Sequence, residues 1–228
     1  MRFDVLTIFP GFFSTPLEFG VIKRGIDKGL LDVRTHDLRD FSPDRRRTVD
    51  DAPYGGGSGM VMKVEPVVKA IEALAGDGQK VILLTPQGVP FNQALAVELS
   101  KVESVLLVCG RYEGVDERIR SFVDMEISVG DYILTGGESA ALALVDSIGR
   151  LVPGVLGDES STVEESFSEG LLEYPQYTRP AEWRGMKVPD VLLSGHHREV
   201  ERYRRNAMVE RTAERRPELA AKLRLKVD

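Results

Sequence analysis

Short apolar runs alternate with amphipathic stretches through the first two-thirds of the chain. Residues 2–8, 31–36, 80–85, 104–109 and 125–129 are rich in Val, Leu and Ile and are bounded by turn-forming residues, so they predict strands. Residues 21–28, 65–75, 92–101, 115–121 and 138–151 carry helical spacing of their apolar positions. Alternation of this kind predicts an α/β layer structure with a mostly parallel sheet. Beyond Val152 the pattern changes. Residues 154–170 are rich in Ser, Glu and Gly without periodicity, which predicts a linker or mobile loop. Residues 194–225 return to helical spacing, with Ser194 placed to cap the first turn and Pro217 to open a final helix. The expected organisation is a domain over 1–160, an interdomain linker over 161–172 and a small helical domain over 173–228.

Composition narrows the class. A chain of 228 residues that is 42% hydrophobic and 29% charged suits a globular protein with a sizeable core. The N-terminal apolar run contains Asp4, ends on Pro10 and has no small-residue cleavage site, so it reads as a strand rather than a signal peptide. No apolar stretch approaches the roughly 20 residues of a membrane span. Cys109 is the only cysteine and lies in an apolar run, which predicts a buried strand thiol and a cytosolic protein. The net charge of −6 conceals an asymmetry: residues 173–228 hold 13 Lys+Arg against 9 Asp+Glu, and the remainder holds 17 against 27. Ten of those 13 cations are arginine, the side chain suited to bidentate phosphate contact and to stacking on bases. A solvated helical face would carry the same charges, so this feature alone leaves both readings open.

Several familiar chemistries are missing from the sequence. There is no phosphate loop ending in Gly-Lys-Ser/Thr, no Gly-x-Gly-x-x-Gly opening a helix, and no Cys/His set with zinc spacing. His36, His196 and His197 are too few and too badly spaced to suggest a metal site. Glycine-dense loops follow the expected strands instead. They are Pro53-Tyr54-Gly55-Gly56-Gly57-Ser58-Gly59-Met60, Thr85-Pro86-Gln87-Gly88, Cys109-Gly110-Arg111-Tyr112-Glu113-Gly114, and the run from Ser128 to Glu138. Glycines there let main-chain groups approach a ligand, and ligands of α/β sheets bind past the carboxyl ends of the strands.

Several strings make a specific resemblance. Arg47-Thr48-Val49-Asp50-Asp51-Ala52-Pro53-Tyr54-Gly55-Gly56-Gly57, Val108-Cys109-Gly110-Arg111-Tyr112-Glu113-Gly114-Val115-Asp116-Glu117-Arg118, Ser128-Val129-Gly130-Asp131-Tyr132, Pro153-Gly154-Val155-Leu156-Gly157, Tyr177-Thr178-Arg179-Pro180 and Val191-Leu192-Leu193-Ser194-Gly195 resemble the TrmD family of bacterial tRNA (guanine-N1)-methyltransferases. The likeness implies a SPOUT-type α/β domain with a trefoil knot, followed by a small C-terminal helical domain. It implies a homodimer with its active sites at the subunit interface; the residues themselves predict a cytoplasmic protein without a membrane span or a metal site, and the sequence does not show whether Mg2+ is required. S-adenosylmethionine would be held by Leu84, Pro86, Gly110, Tyr112, Glu113, Ser128, Val129, Gly130, Asp131, Tyr132, Ile133, Leu134, Gly136 and Gly137. The substrate would be tRNA, methylated at N1 of guanosine 37.

That chemistry calls for two groups. Guanine N1 keeps its proton at neutral pH, so a carboxylate must remove it. Charge then develops toward O6, where an arginine is a suitable stabiliser. By family position these are Glu165 and Arg150. The family usually has aspartate before the linker serine, and this chain has Glu165 before Ser166, with Glu164 as its neighbour. Arg184, Arg198, Arg202, Arg205, Arg211 and Arg215 are candidates for tRNA phosphate contact, with Trp183 or Tyr203 available to stack, and Arg45, Arg46 and Arg47 could extend that surface. Two other readings stay open: a knotted enzyme that methylates ribose, needing no linker carboxylate, and an RNA-binding regulator without catalysis.

Overall fold

Five parallel strands form the centre of the N-terminal unit in the computed structural model, which describes residues 1–157 and 165–224. By its contacts the chain divides into Met1–Gly157 and Asp158–Asp228. The first unit runs β1 (Arg2–Thr7), α1 (Gly20–Asp27), β2 (Asp32–Asp37), β3 (Asp50–Asp51), β4 (Val61–Met62), α2 (Val64–Leu74), β5 (Lys80–Pro90), α3 (Gln93–Leu99), β6 (Ser104–Cys109), β7 (Met125–Ser128) and α4 (Glu138–Gly149). The sheet order is β2-β1-β6-β5-β7, and β3 and β4 form a separate antiparallel pair.

The sheet is covered on both faces, which explains its sequence. Every residue of β6 is buried, and its unbroken apolar run is what a strand covered on both faces requires. Alternate residues point to opposite faces. Phe3, Val5, Ile82, Leu84, Val105 and Leu107 meet Leu144, Val145 and Ile148 of α4 on one side. Leu6, Leu83, Leu106 and Val108 meet Val67, Ala70 and Ile71 of α2 on the other. Asn92 caps α3 by accepting from the Leu95 N–H at 3.0 Å.

Three expectations need adjustment. The stretch expected as a helix over 115–121 is a 3-10 segment, Glu117–Phe122, entered through an Asp116 side chain that accepts from the Arg118 N–H at 3.0 Å. That local bond favours a turn over a continuing helix. β5 does not stop at Thr85: Leu84 and Val89 both pair with Ile127, so residues 85–88 loop out and the strand resumes to Pro90. Gly88 permits this. A Cβ there would fall on the Ile127 and Glu126 backbone, closer than any side chain can approach. Ser194 does not cap the long helix. It closes α5 (Asp190–Leu193), donating from Oγ to the Val191 carbonyl at 2.8 Å and accepting from the His196 N–H at 3.1 Å.

The C-terminal unit contains the hairpin β8 (Glu182–Trp183) and β9 (Met186–Lys187), then α5, α6 (His197–Arg215) and α7 (Pro217–Arg224), opened by Pro217 as its position suggests. Leu171, Tyr174 and Met208 form its small core. Of the expected linker, residues 161–164 lie outside the described residues, and 165–170 form turns. Among the described residues no helix is long and apolar enough to cross a membrane.

Candidate active site

Leu84 pairs with Cys109 on one side and Ile127 on the other, near the carboxyl ends of β6 and β7 and at the point where β5 bulges from its ladder. The bulge after Leu84 and the glycine-containing loops after β6 and β7 line a cavity of about 530 Å3. Its walls include Leu84, Pro86, Gly110, Tyr112, Glu113, Ser128, Val129, Gly130, Tyr132, Ile133, Leu134, Gly136 and Gly137. Every residue expected to hold the methyl donor therefore lines one space except Asp131, which is exposed beside it. Tyr132, Ile133 and Leu134 are exposed apolar side chains on the lining loop, an unfavourable arrangement unless a ligand covers them.

Close backbone approach explains the glycines. The Gly137 N–H donates to the Gly110 carbonyl at 2.8 Å, and a Cβ on Gly137 would lie 2.7 Å from the Cys109 Cα. Any side chain at 137 would push the start of α4 away from β6. Gly130 has φ of 150°, and a Cβ there would meet the Tyr132 ring at 2.5 Å. Tyr112 adopts φ of 61° without being glycine, an uncommon conformation in the wall of a candidate site. Burial, followed by the nearby Asp50 carboxylate, raises its phenol above the ordinary value.

An ion pair beneath the cavity ties these loops together, and no sequence spacing announced it. Glu138 is 1% exposed and opens α4. Its Oε1 accepts from the Thr7 hydroxyl at 2.7 Å, and its Oε2 accepts from Arg111 Nε and Nη2, both at 2.9 Å. Arg111 also donates to the Thr135 carbonyl at 3.2 Å and lies 4.6 Å from the Phe9 ring centre. Thus β1, the loop after β6, the loop after β7 and the start of α4 meet at one carboxylate. A second clamp lies at the rim. Arg120 donates to Gln87 Oε1 at 2.6 Å and to Glu117 Oε2 at 2.9 Å, and it pairs with Glu126. The expectation for Cys109 matches its placement: 1% exposed, its thiol pushed well above 9.0 by burial and then by the Glu138 carboxylate.

The remaining candidates are carried by other elements. Arg150 caps the C-terminal end of α4, donating its N–H to the Asp146 carbonyl at 3.1 Å. Ala140 of the same helix lines the cavity, and ten residues at 1.5 Å per residue put about 15 Å of helix between the two positions. Glu165 opens a turn in the C-terminal unit, its carbonyl accepting from the Ser168 hydroxyl at 2.7 Å, while Ser166 Oγ accepts from the Glu173 N–H at 3.0 Å. Glu164 lies outside the described residues. Arg198, Arg202 and Arg205 fall within roughly 60° of one another around α6. Arg205 pairs with Glu169, Arg211 donates to the Glu173 carbonyl at 3.4 Å, Arg184 stacks 4.5 Å from the Trp183 ring centre, and Arg215 is exposed in the last turn of α6. Arg47 pairs with Asp40 and Asp37. His36 bonds Asp4 at 2.8 Å, and no group of His, Cys, Asp and Glu able to hold a metal occurs among the described residues.

Comparison with known proteins gives this arrangement a family. A model described as tRNA (Guanine-1)-methyltransferase TrmD matches residues 1–222. A tRNA (guanine-N(1)-)-methyltransferase of Citrifermentans bemidjiense is 58% identical over 222 residues, covering 96% of this chain and 89% of its own length. Proteins of the same name from Dictyoglomus turgidum and Chloroflexus aggregans are 54% and 55% identical, covering 99% and 97% of this chain and 92% and 88% of their own lengths. The match runs through the loops of the cavity, Arg150, Glu165 and nearly all of the arginine-rich segment, and the chain belongs to the TrmD family of tRNA (guanine-1)-methyltransferases.

Proposed function

We propose that this protein transfers a methyl group from S-adenosylmethionine to N1 of guanosine 37 of tRNA, beside the anticodon. The convergence of the β5 bulge and the glycine-containing loops after β6 and β7 on one cavity carries the reading. The cavity suits the methyl donor: its glycines offer main-chain groups, its apolar loop is available to cover an adenine, and its volume lies within the range of small-molecule sites. The donor, when bound, supplies an electrophilic methyl group on a sulfonium.

The chain's own groups then have defined tasks. Glu165 takes the N1 proton of guanine and exposes the lone pair that must attack. Arg150 faces O6 and offsets the charge that gathers there. Much of the remaining task is alignment, which the cavity walls provide. The separation along α4 supports an active site shared by two copies, because a protomer's own Arg150 stands a helix length from its own cavity. Phe9, Phe12 and Phe19 are exposed on the N-terminal unit and offer apolar surface for such a contact. The SPOUT-type knot expected of the family is supported by the way the segment after β7 returns to the β6 loop, where Arg111 bridges Gly136. The C-terminal unit, with its excess of arginine, is the proposed tRNA-binding domain.

The test is direct. The protein is incubated with labelled S-adenosylmethionine and tRNA, and the RNA is digested to nucleosides. Label in N1-methylguanosine supports the reading. Label in a ribose-methylated nucleoside, or none, overturns it.

A further inference from the structure

The C-terminal unit has its own cavity, of about 440 Å3, and the methyl-transfer chemistry gives it no role. An extended segment over 171–179 builds one side of it by running along α6. The Leu172 N–H donates to Thr212 Oγ1 at 2.8 Å, Arg211 holds the Glu173 carbonyl, and the Arg204 guanidinium stands 4.5 Å from the Tyr174 ring centre. Tyr177 neighbours Tyr203 of α6, whose phenol is raised above its ordinary value by burial first and by Tyr177 second. Tyr174 is buried against Met208. Tyr177 is 48% exposed and lines the cavity.

This is the arrangement of a platform. A tyrosine ring has few torsions to lose on binding, and Tyr177 offers an open face. Leu192, Leu193 and Val200 give the cavity an apolar wall, and Arg179 gives it a cation. A flat apolar face beside a cation suits a group with a π-surface attached to an anion, which is a nucleotide. The charge of the segment agrees with a polyanion, and the neighbouring hairpin presents another guanidinium stacked on an aromatic ring, Arg184 on Trp183.

We propose that this cavity takes one unstacked base of the tRNA, other than the guanine that is methylated, stacked on Tyr177 with its flanking phosphate on Arg179. None of the residues proposed to hold the methyl donor lines it, so a base seated there is held rather than methylated. The inference rests on the tRNA reading above and adds a second point of contact, one that fixes the RNA while the target guanine is presented. Affinity for tRNA should depend on it, and the chemical step should not.

The experiment uses the full-length protein and tRNA stem-loops carrying 2-aminopurine at one loop position at a time. With the wild-type protein, one position besides the methylated guanosine should change its fluorescence several-fold on binding. Tyr177→Ala should abolish that response and raise both Kd and KM for tRNA by about 10–100-fold, the range for loss of one base–aromatic stack, with kcat within a few-fold. Tyr177→Phe keeps the ring and should stay within about threefold of wild type in Kd. Arg179→Gln should lower the salt dependence of binding by about one phosphate contact. An unchanged thermal unfolding profile by circular dichroism confirms that the C-terminal unit, which carries these residues, stays folded in each variant. If Tyr177→Ala binds tRNA like the wild type while N1-methylguanosine is still formed, the pocket assignment fails and the enzyme assignment stands. If the substitution instead converts a dimer to a monomer in sedimentation, the cavity seats protein and the proposal is overturned. Absence of N1-methylguanosine from the wild-type reaction would overturn the tRNA reading itself.

Discussion

Replacing Glu138 by glutamine should unlock the cavity from below. The side chain is 1% exposed and accepts from Thr7 and from two nitrogens of Arg111. Glutamine keeps the shape and an acceptor for Thr7, but its amide cannot neutralise the guanidinium. Removing one member of a buried pair costs about 3–5 kcal/mol. Arg111 is 18% exposed at its side chain, so water relieves part of the loss and about 2–4 kcal/mol remains. For a unit of this size that corresponds to a fall in Tm of roughly 5–15 °C. Because Arg111 also donates to the Thr135 carbonyl, the loop after β7 should loosen and S-adenosylmethionine should bind more weakly. Differential scanning calorimetry measures the first effect and titration calorimetry the second. The double variant Arg111→Met with Glu138→Leu removes both charges and should regain much of the Tm without regaining affinity. A Glu138→Gln protein with wild-type Tm and wild-type affinity would refute the claim that this carboxylate joins the loops.

Gly130→Val should raise the Kd for S-adenosylmethionine at least tenfold with the unit still folded, because φ of 150° and the adjacent Tyr132 ring leave no room for a side chain; calorimetry on the folded variant decides. Cys109 should resist alkylation in the native protein and react on unfolding. Its raised thiol contributes stability below the ordinary value of 9.0 that is lost as pH rises through the folded value, so alkaline denaturation curves of Cys109→Ala should lack that component. Glu165→Gln should lower single-turnover methylation by roughly 10²–10⁴-fold while donor and tRNA affinity survive, and Glu165→Asp should remain active. With the donor held well below the raised Kd of Gly130→Val, that variant and Arg150→Ala should each show little activity alone, yet re-formed mixed dimers should recover about a quarter of wild-type activity, because one of the two shared sites in each mixed dimer has both parts intact. No recovery would place Arg150 and the cavity in the same copy.

The parts of this fold that were legible in the sequence are those governed by local pattern. Residues 104–109 read as a strand because a strand buried on both faces must be apolar throughout, and the structure has β6 over Ser104–Cys109. Pro217 marked the start of α7 because its missing N–H costs nothing in a first turn. The glycine-dense loops could be seen because close backbone approach leaves a compositional trace, now explained at Gly88 and Gly137 by the backbone each one touches. What was hidden depends on contacts distant in sequence. Arg111 and Glu138 are 27 residues apart and Thr7 and Glu138 are 131 apart, and no periodicity links them. The looped-out residues 85–88 were hidden for a related reason, since a strand that leaves and rejoins its ladder is defined by its partner, here Ile127. Ser194 misled because its hydroxyl serves the end of one helix as readily as the start of another, and the short α5 before it has too few residues to establish a period. The same division applies to the site. The cavity walls come from loops whose composition betrays them, whereas Arg150 and Glu165 are ordinary surface residue types that only family position singles out. The helix between Ala140 and Arg150 makes the point physical: about 15 Å of rigid rod separates a residue that lines the cavity from the proposed O6 partner, and no local pattern in the sequence reports that separation.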